Sequence, residues 1–185
     1  MIDHNKKFIF IHIPKCGGKT IEKVFWDVDP KVGSSDHTTY RRRQKMLPYT
    51  NCDISDYKVF SIVRNPWDRY VSYYSYLKRI KKMEFNTFES FVKKHGHRKM
   101  YKNQMYFLKD SNNEIKVDYI GRFENFEKTF DDICELTEVS GKLLHLNKTY
   151  HPHYSSFYTD ETIKITRKRF RKEINYFGYD FEDLR

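Results

Sequence analysis

The chain has no apolar run near the roughly 20 residues a bilayer-spanning helix needs, and the few residues before its first hydrophobic stretch, Met1 to Lys6, are too short and polar for a secretory signal. No membrane anchor is therefore expected, and the expected location is the cytoplasm. Cysteine is scarce: Cys16, Cys52 and Cys134 are three widely separated residues. Their odd number and the lack of any C-x-x-C spacing exclude a zinc ribbon or a disulfide framework and fit a reducing compartment. In such a compartment the sequon Asn147-Lys148-Thr149 carries no weight as a glycosylation site. Internal repeats and low-complexity tracts are also missing, which excludes solenoid architectures. With 185 residues the chain suits a single domain with a real core, residues 1–185.

Positive charge is abundant. Thirty-five Lys and Arg stand against 25 Asp and Glu, giving a formal charge of +10 and a pI near 9.3. The partner is expected to be anionic: a phosphorylated cofactor, an acidic glycan, nucleic acid or a membrane surface. Aromatics are equally plentiful, with 15 Tyr and 15 Phe. Interleaved with Arg and Lys they would suit base stacking, and as core residues they would fill an interior.

The stretch Phe8 to Ile13 is a continuous β-prone run broken only by His12. Pro14 and the Gly17-Gly18 pair end it, and Thr20 opens a helical pattern with Ile21, Val24, Phe25 and Val28 on one face. A helix that starts after a glycine turn presents unpaired N–H groups and the positive end of its dipole, and Lys15 and Lys19 add full charges. Phosphate or sulfate is the expected guest. The ending Gly18-Lys19-Thr20 imitates a Walker A loop, G-x-x-x-x-G-K-[ST], but the position of the first glycine is held by Ile13. A nucleophilic role for Cys16 lacks an adjoining His or second Cys.

Farther on, Asp29 to Asp36 reads as an exposed loop, followed by His37 and a basic, helix-compatible piece containing Arg41, Arg42 and Arg43. Tyr57 to Val63 is a candidate central parallel strand. It runs into Arg64-Asn65-Pro66, where Asn65 suits an N-cap and Pro66 the first helical position, and Trp67, Tyr70, Val71, Tyr74 and Leu77 then recur at helical spacing. Asn86 to Glu89 starts a short helix that reaches Lys94 before Gly96. Lys116 to Phe123 reads as a strand, and Phe126 to Leu136 as a helix. Asn147 to Tyr158 is a loop. Thr159-Asp160-Glu161 begins a last helix with a stripe of Ile163, Phe170, Ile174 and Phe177 before Gly178. Strands alternating with helices indicate an α/β domain with a mainly parallel sheet.

The junction from Val63 to Tyr74 repeats the plan of the first: buried strand, tight turn, helix. In an open parallel sheet such turns emerge at the carboxyl ends of the strands, where ligands bind. Two of them suggest one ligand with two anionic groups, with Arg64 supplying a guanidinium fork and Ser72 a hydroxyl. Arg69 would do the same or pair with Asp68 or Glu22.

Ile11-His12-Ile13-Pro14-Lys15-Cys16-Gly17-Gly18-Lys19-Thr20 resembles the 5'-phosphosulfate loop of the PAPS-dependent carbohydrate sulfotransferases, the group that includes heparan sulfate 2-O-sulfotransferase and the chondroitin enzymes. Arg64-Asn65-Pro66-x-x-Arg69-x-x-Ser72-x-Tyr74 resembles their 3'-phosphate motif. Weaker likenesses run through Asp118 to Glu124, Asn147-Lys148-Thr149 and Phe177-Gly178-Tyr179. The chain departs from the family at Cys16 and Lys19, where Thr or Ser is usual, and in lacking the anchor of the secretory members. The resemblance implies a P-loop-like three-layer α/β domain with a mainly parallel central sheet flanked by helices. It further implies transfer of a sulfuryl group from 3'-phosphoadenosine 5'-phosphosulfate to a hydroxyl of a glycan or other acceptor, an anionic one included, leaving 3'-phosphoadenosine 5'-phosphate.

On that resemblance Lys15 stabilises the bridging oxygen as the S–O bond breaks. Lys15, Cys16, Gly17, Gly18, Lys19 and Thr20 hold the phosphosulfate, and Arg64 and Ser72 the 3'-phosphate. No metal is implied. His37, which lies between the two motifs where similar enzymes place a catalytic histidine, is the expected base. Glu124 is the alternative base, Gln104 a contact to the acceptor, and the loop of His151 and His153 closes over the donor. His12, within a strand, is expected to be structural. Two other readings remain: a P-loop-type nucleotide-dependent kinase, opposed by Ile13 and by the lack of a strand ending in a metal-binding aspartate, and a non-catalytic basic nucleic-acid-binding protein.

Overall fold

The computed structural model describes residues 1–29, 36–80, 87–94, 102–143 and 152–185. The chain divides into two compact units, Met1–Val63 with Gln104–Asn147, and Arg64–Asn103 with Lys148–Arg185.

The first unit holds the sheet. Its strands are β1 (Ile2–Asp3), β2 (Phe8–Ile11), β3 (Lys58–Val63) and β4 (Tyr119–Arg122), in spatial order β1-β2-β3-β4. β2 pairs in parallel with β3 (Phe10 opposite Phe60), β3 in parallel with β4 (Ser61 opposite Ile120), and only β1 is antiparallel. The mainly parallel sheet expected from the sequence is therefore present, with an antiparallel edge that two residues could not announce. β2 and β3 are buried on both faces, which is why they read as unbroken apolar runs. Helix α1 (Gly18–Trp26) lays Phe25 against Phe8 and Phe60, with ring centroids 5.9 and 6.2 Å apart. Helix α6 (Phe126–Thr137) packs on β4 and β3. The basic piece after His37 forms α2 (Tyr40–Met46), capped by the Thr39 hydroxyl, and a short helix α5 (Met105–Leu108) lies near it.

The second unit is helical: α3 (Pro66–Arg79), α4 (Phe88–Lys94) and α7 (Asp160–Phe177). Asn65 caps α3, its Oδ1 accepting from the Trp67 amide at 3.0 Å, and Pro66 occupies the first turn, as the sequence predicts. Thr159 and Thr162 cap α7 reciprocally, and Gly178 ends it at φ 65°. The core is aromatic: Tyr70 against Phe91 at 5.1 Å, Tyr74 against Phe88 at 5.3 Å and Phe88 against Tyr158 at 4.8 Å. Most of the described aromatics are committed to packing, and the exposed large ones are Tyr49, Tyr106 and Tyr176. This favours the core reading of the composition over a stacking platform for bases.

Three boundaries differ from the sequence reading. The first strand stops at Ile11, short of the end of the apolar run at Ile13, and the turn follows at Pro14 and Lys15. The strand expected over Lys116 to Phe123 shortens to Tyr119–Arg122. Among its described residues, the loop before Tyr158 holds a 3-10 turn over Tyr154–Phe157.

β4 and α6 meet tightly at Gly121. A Cβ there would lie 2.1 Å from Thr129 Cγ2, while Thr129 Oγ1 donates to the Arg122 carbonyl at 2.9 Å and accepts from its amide at 3.0 Å. Gly121→Ala is expected to destabilise the protein by about 1–3 kcal/mol in urea denaturation. Adding Thr129→Ser, which deletes Cγ2 and keeps Oγ1, is expected to recover part of the loss. A fully additive double mutant would show that the two residues do not share this contact.

Candidate functional site

The first candidate anion-binding turn lies beyond the end of β2. Lys15 and Gly17 adopt left-handed backbone, at φ 69° and 80°. Gly17 is the N-cap of α1 and has no side chain with which to cap it, so the positive end of the helix opens onto the turn. Lys15, Gly17 and Lys19 are half-buried, and Cys16, Gly18 and Thr20 are buried. The Cys16 side chain points inward: it is 1% exposed and its thiol donates to Gln104 Oε1 at 3.3 Å. Any contact from Cys16 to an anion in the turn therefore belongs to its backbone. Gln104, expected at the acceptor, is itself fully buried and serves this loop.

His37 lies in the same unit. Its Nδ1 is 3.1 Å from the His12 carbonyl. A carbonyl only accepts, so Nδ1 carries the proton and Nε2 keeps its lone pair. Burial, and then the neighbouring His12, push the His37 pKa down from its ordinary 6.5 to about 4. At neutral pH the ring is uncharged and can take a proton. His12 is buried as expected, and it has a specific partner the sequence reading missed. Its Nδ1 donates to Glu22 Oε1 at 2.7 Å, with both side chains 4% exposed. The only sequence signal was a carboxylate in the helix that follows the turn.

In the second unit Arg64 is 7% and Ser72 5% exposed. Arg64 Nε donates to Asp68 at 2.7 Å. Arg69 is buried in the same unit. Its guanidinium donates to the Lys102 carbonyl at 3.2 Å and lies 4.0 Å from Glu173. Glu124 is exposed on a 3-10 turn after β4. His153 caps the turn at Tyr154, with Nδ1 2.9 Å from Ser155 Oγ. His151 and Asn147-Lys148-Thr149 lie outside the described residues. Among the described residues no group of three His, Cys, Asp or Glu side chains is arranged to hold a metal, and no helix is long and apolar enough to cross a membrane.

Residues 1–180 match the family model described as "Sulfotransferase family". A curated protein of Archaeoglobus fulgidus, described as "Uncharacterized protein", is 35% identical over 85 residues, 46% of this chain and 68% of its own length. Among solved structures, mouse sulfotransferase SULT7A1 complexed with PAP is similar with a TM-score of 0.62 and 13% identity, over 94% of this chain and 86% of that one. A sulfotransferase from Alicyclobacillus acidocaldarius is similar with a TM-score of 0.53 and 13% identity, over 95% and 96%. At these identities the structural likeness is one of fold.

The His37 pKa has a consequence for stability. Its folded value, about 4, lies below the ordinary 6.5, so the unfolded chain binds more protons between those values and stability falls as pH falls through that window. Urea midpoints are expected to drop more steeply from pH 6.5 to pH 5 for the wild type than for His37→Asn. Parallel curves would show that His37 is not held neutral by its surroundings.

Proposed function

The chain belongs to the sulfotransferase family, and on that premise we propose that it moves a sulfuryl group from 3'-phosphoadenosine 5'-phosphosulfate to a hydroxyl of a carbohydrate. The observation that carries this reading is the glycine-capped start of α1 with Lys15 and Lys19 in and beside its turn. Backbone amides, a helix dipole and two cations fit a phosphosulfate, and the residues of the turn resemble the 5'-phosphosulfate loop of the carbohydrate enzymes, apart from Cys16 and Lys19. The fold neighbour from mouse is complexed with PAP, the desulfated form of that donor, which supports the choice of co-substrate.

The donor supplies an activated sulfuryl group on a phosphate leaving group. Lys15 is assigned to the oxygen that gains charge as the S–O bond breaks, a role in which a fixed cation is worth more in the transition state than in the ground state. Gly17, Gly18, Lys19 and Thr20, with the backbone of Cys16, bind the phosphosulfate. Arg64 and Ser72 are assigned to the 3'-phosphate, the group that separates this donor from ATP. His37 Nε2 takes the proton of the acceptor hydroxyl as the oxygen bonds to sulfur. A low pKa makes His37 a weak base but keeps it in the basic form across the neutral range. The net charge of +10 favours an anionic glycan as acceptor.

Thermal shift with 3'-phosphoadenosine 5'-phosphate, ATP with magnesium, and an oligonucleotide tests the donor. Stabilisation by the first alone is expected, whereas a preference for ATP with magnesium or for the oligonucleotide would sink the reading. Arg64→Ala is expected to weaken binding of 3'-phosphoadenosine 5'-phosphate about 10-fold to 100-fold while leaving adenosine 5'-phosphosulfate nearly unaffected. Lys15→Ala is expected to lower kcat about 100-fold to 1,000-fold. His37→Ala is expected to abolish turnover with donor binding kept. Labelled donor offered with polysaccharides and with simple phenols tests the acceptor, and transfer to phenols alone would overturn the carbohydrate assignment.

A further inference from the structure

His12 lies at the centre of a set of contacts that a merely structural strand residue would not need. Its ring stacks on Phe10 at 5.4 Å with an interplanar angle of 19°, and Phe10 in turn stacks on Phe60 at 5.2 Å and 20°. The column of rings thus begins inside the β2–β3 pair. At its other end the His12 ring meets the His37 ring edge-on at 4.4 Å, and the His12 carbonyl accepts from His37 Nδ1. Glu22 fixes the rotation of His12 through the 2.7 Å bond to Nδ1, in a place where neither side chain reaches water. The fourth contact is with the donor turn: a Cβ on Gly18 would lie 2.2 Å from the His12 imidazole, so Gly18 leaves the space that the ring occupies.

We propose that His12 and Glu22 are positioning residues for His37: the His12 main-chain carbonyl selects the Nδ1–H tautomer and leaves Nε2 basic, and the His12 ring, its rotation locked by the Glu22 carboxylate, packs against the His37 ring and keeps it turned toward that carbonyl. This goes further than the family reading, rests on it only for the role of His37 as base, and assigns a task to a buried carboxylate and histidine that binding of the donor does not require. It also gives Gly18 a second function. The residue that opens α1 beneath the phosphosulfate is also the residue against which the positioning ring packs, so the donor turn and the base share one support. In water the Nε2–H tautomer of histidine is favoured, so the opposite tautomer needs an acceptor placed at Nδ1, and the His12 carbonyl is that acceptor. The charged and titratable groups facing His37 are His12 and Glu22 from the strand end and α1, and Asp36 beside it in the chain, itself paired with Arg43.

Nitrogen-15 spectra of histidine-labelled protein read the tautomer directly on the folded wild type, with no turnover needed. His37 is expected as Nδ1–H. His12→Asn keeps a donor toward Glu22 and deletes the ring. It is expected to shift His37 toward Nε2–H and to lower kcat about tenfold, with affinity for 3'-phosphoadenosine 5'-phosphate held within about threefold. Glu22→Leu is expected to act in the same direction, and Glu22→Gln, which keeps an acceptor oxygen, to recover most of kcat. A wild-type His37 in the Nε2–H form overturns the inference. So does a His12→Asn protein with unchanged tautomer and kcat, or one whose donor affinity falls in step with kcat. Should Glu22→Leu fail to fold, the wild-type spectrum and His12→Asn decide. Full turnover by His37→Ala would instead remove the base assignment, and the spectrum would still decide whether His12 sets the ring.

Discussion

The parallel pairing of β2 with β3 is the contact on which the first unit depends. Parallel strands cannot be joined by a hairpin, so the chain between them, residues 12–57, must leave the sheet and return. That one excursion contains the Lys15 turn, α1, His37 and α2, and both of its ends are fixed by the ladder. At the last paired position, Ile11 opposite Ser61, the Ser61 hydroxyl donates to the Ile11 carbonyl at 2.7 Å. The bond satisfies a buried acceptor where the strand gives way to the turn, and it ties the start of the turn to the neighbouring strand. The candidate donor turn and candidate base are therefore placed by sheet pairing.

Charge is handled differently in the two units. In the second, buried guanidinium groups are tolerated because each has oxygen acceptors: Arg64 has Asp68, and Arg69 has the Lys102 carbonyl with Glu173 nearby. Taking such groups out of water costs several kcal/mol unless they are paired, so these arrangements are poor candidates for stability devices and good ones for holding cations in place. In the first unit Glu22 is a buried carboxylate, and its partner is an imidazole whose rotation it fixes.

The elements most legible in the sequence were those whose signal is local. β2 and β3 declared themselves by uninterrupted burial, α3 by Asn65-Pro66, and α7 by Thr159 and Gly178. The residues of both turns were legible for the same reason, since glycine, proline and charge at a strand-helix junction are read from neighbours in sequence. β1 was too short for any period to show, and the fit of Gly121 in β4 against Thr129 of α6 is a contact between elements. Ion pairing was the least legible. The approach of Glu173 to Arg69 could not be read, since the two residues are distant in sequence. The inward Cys16–Gln104 bond is hidden likewise, since the two residues lie far apart along the chain.

The glycine pair shows how much a motif can conceal. In sequence Gly17 and Gly18 look equivalent, both letting backbone approach an anion. In the structure only Gly17 has positive φ, and a Cβ there would also strike Phe126 at 2.5 Å. Gly18 sits in ordinary helical backbone and is small because the His12 ring occupies the space beside it. Lys15 takes a left-handed conformation that glycine would adopt freely, at a cost of about 1–2 kcal/mol. On the proposed function, that strain is borne for the sake of the lysine side chain. The turn thus divides its work among three residues: Gly17 bends the chain, Gly18 admits the histidine, and Lys15 is the candidate cation.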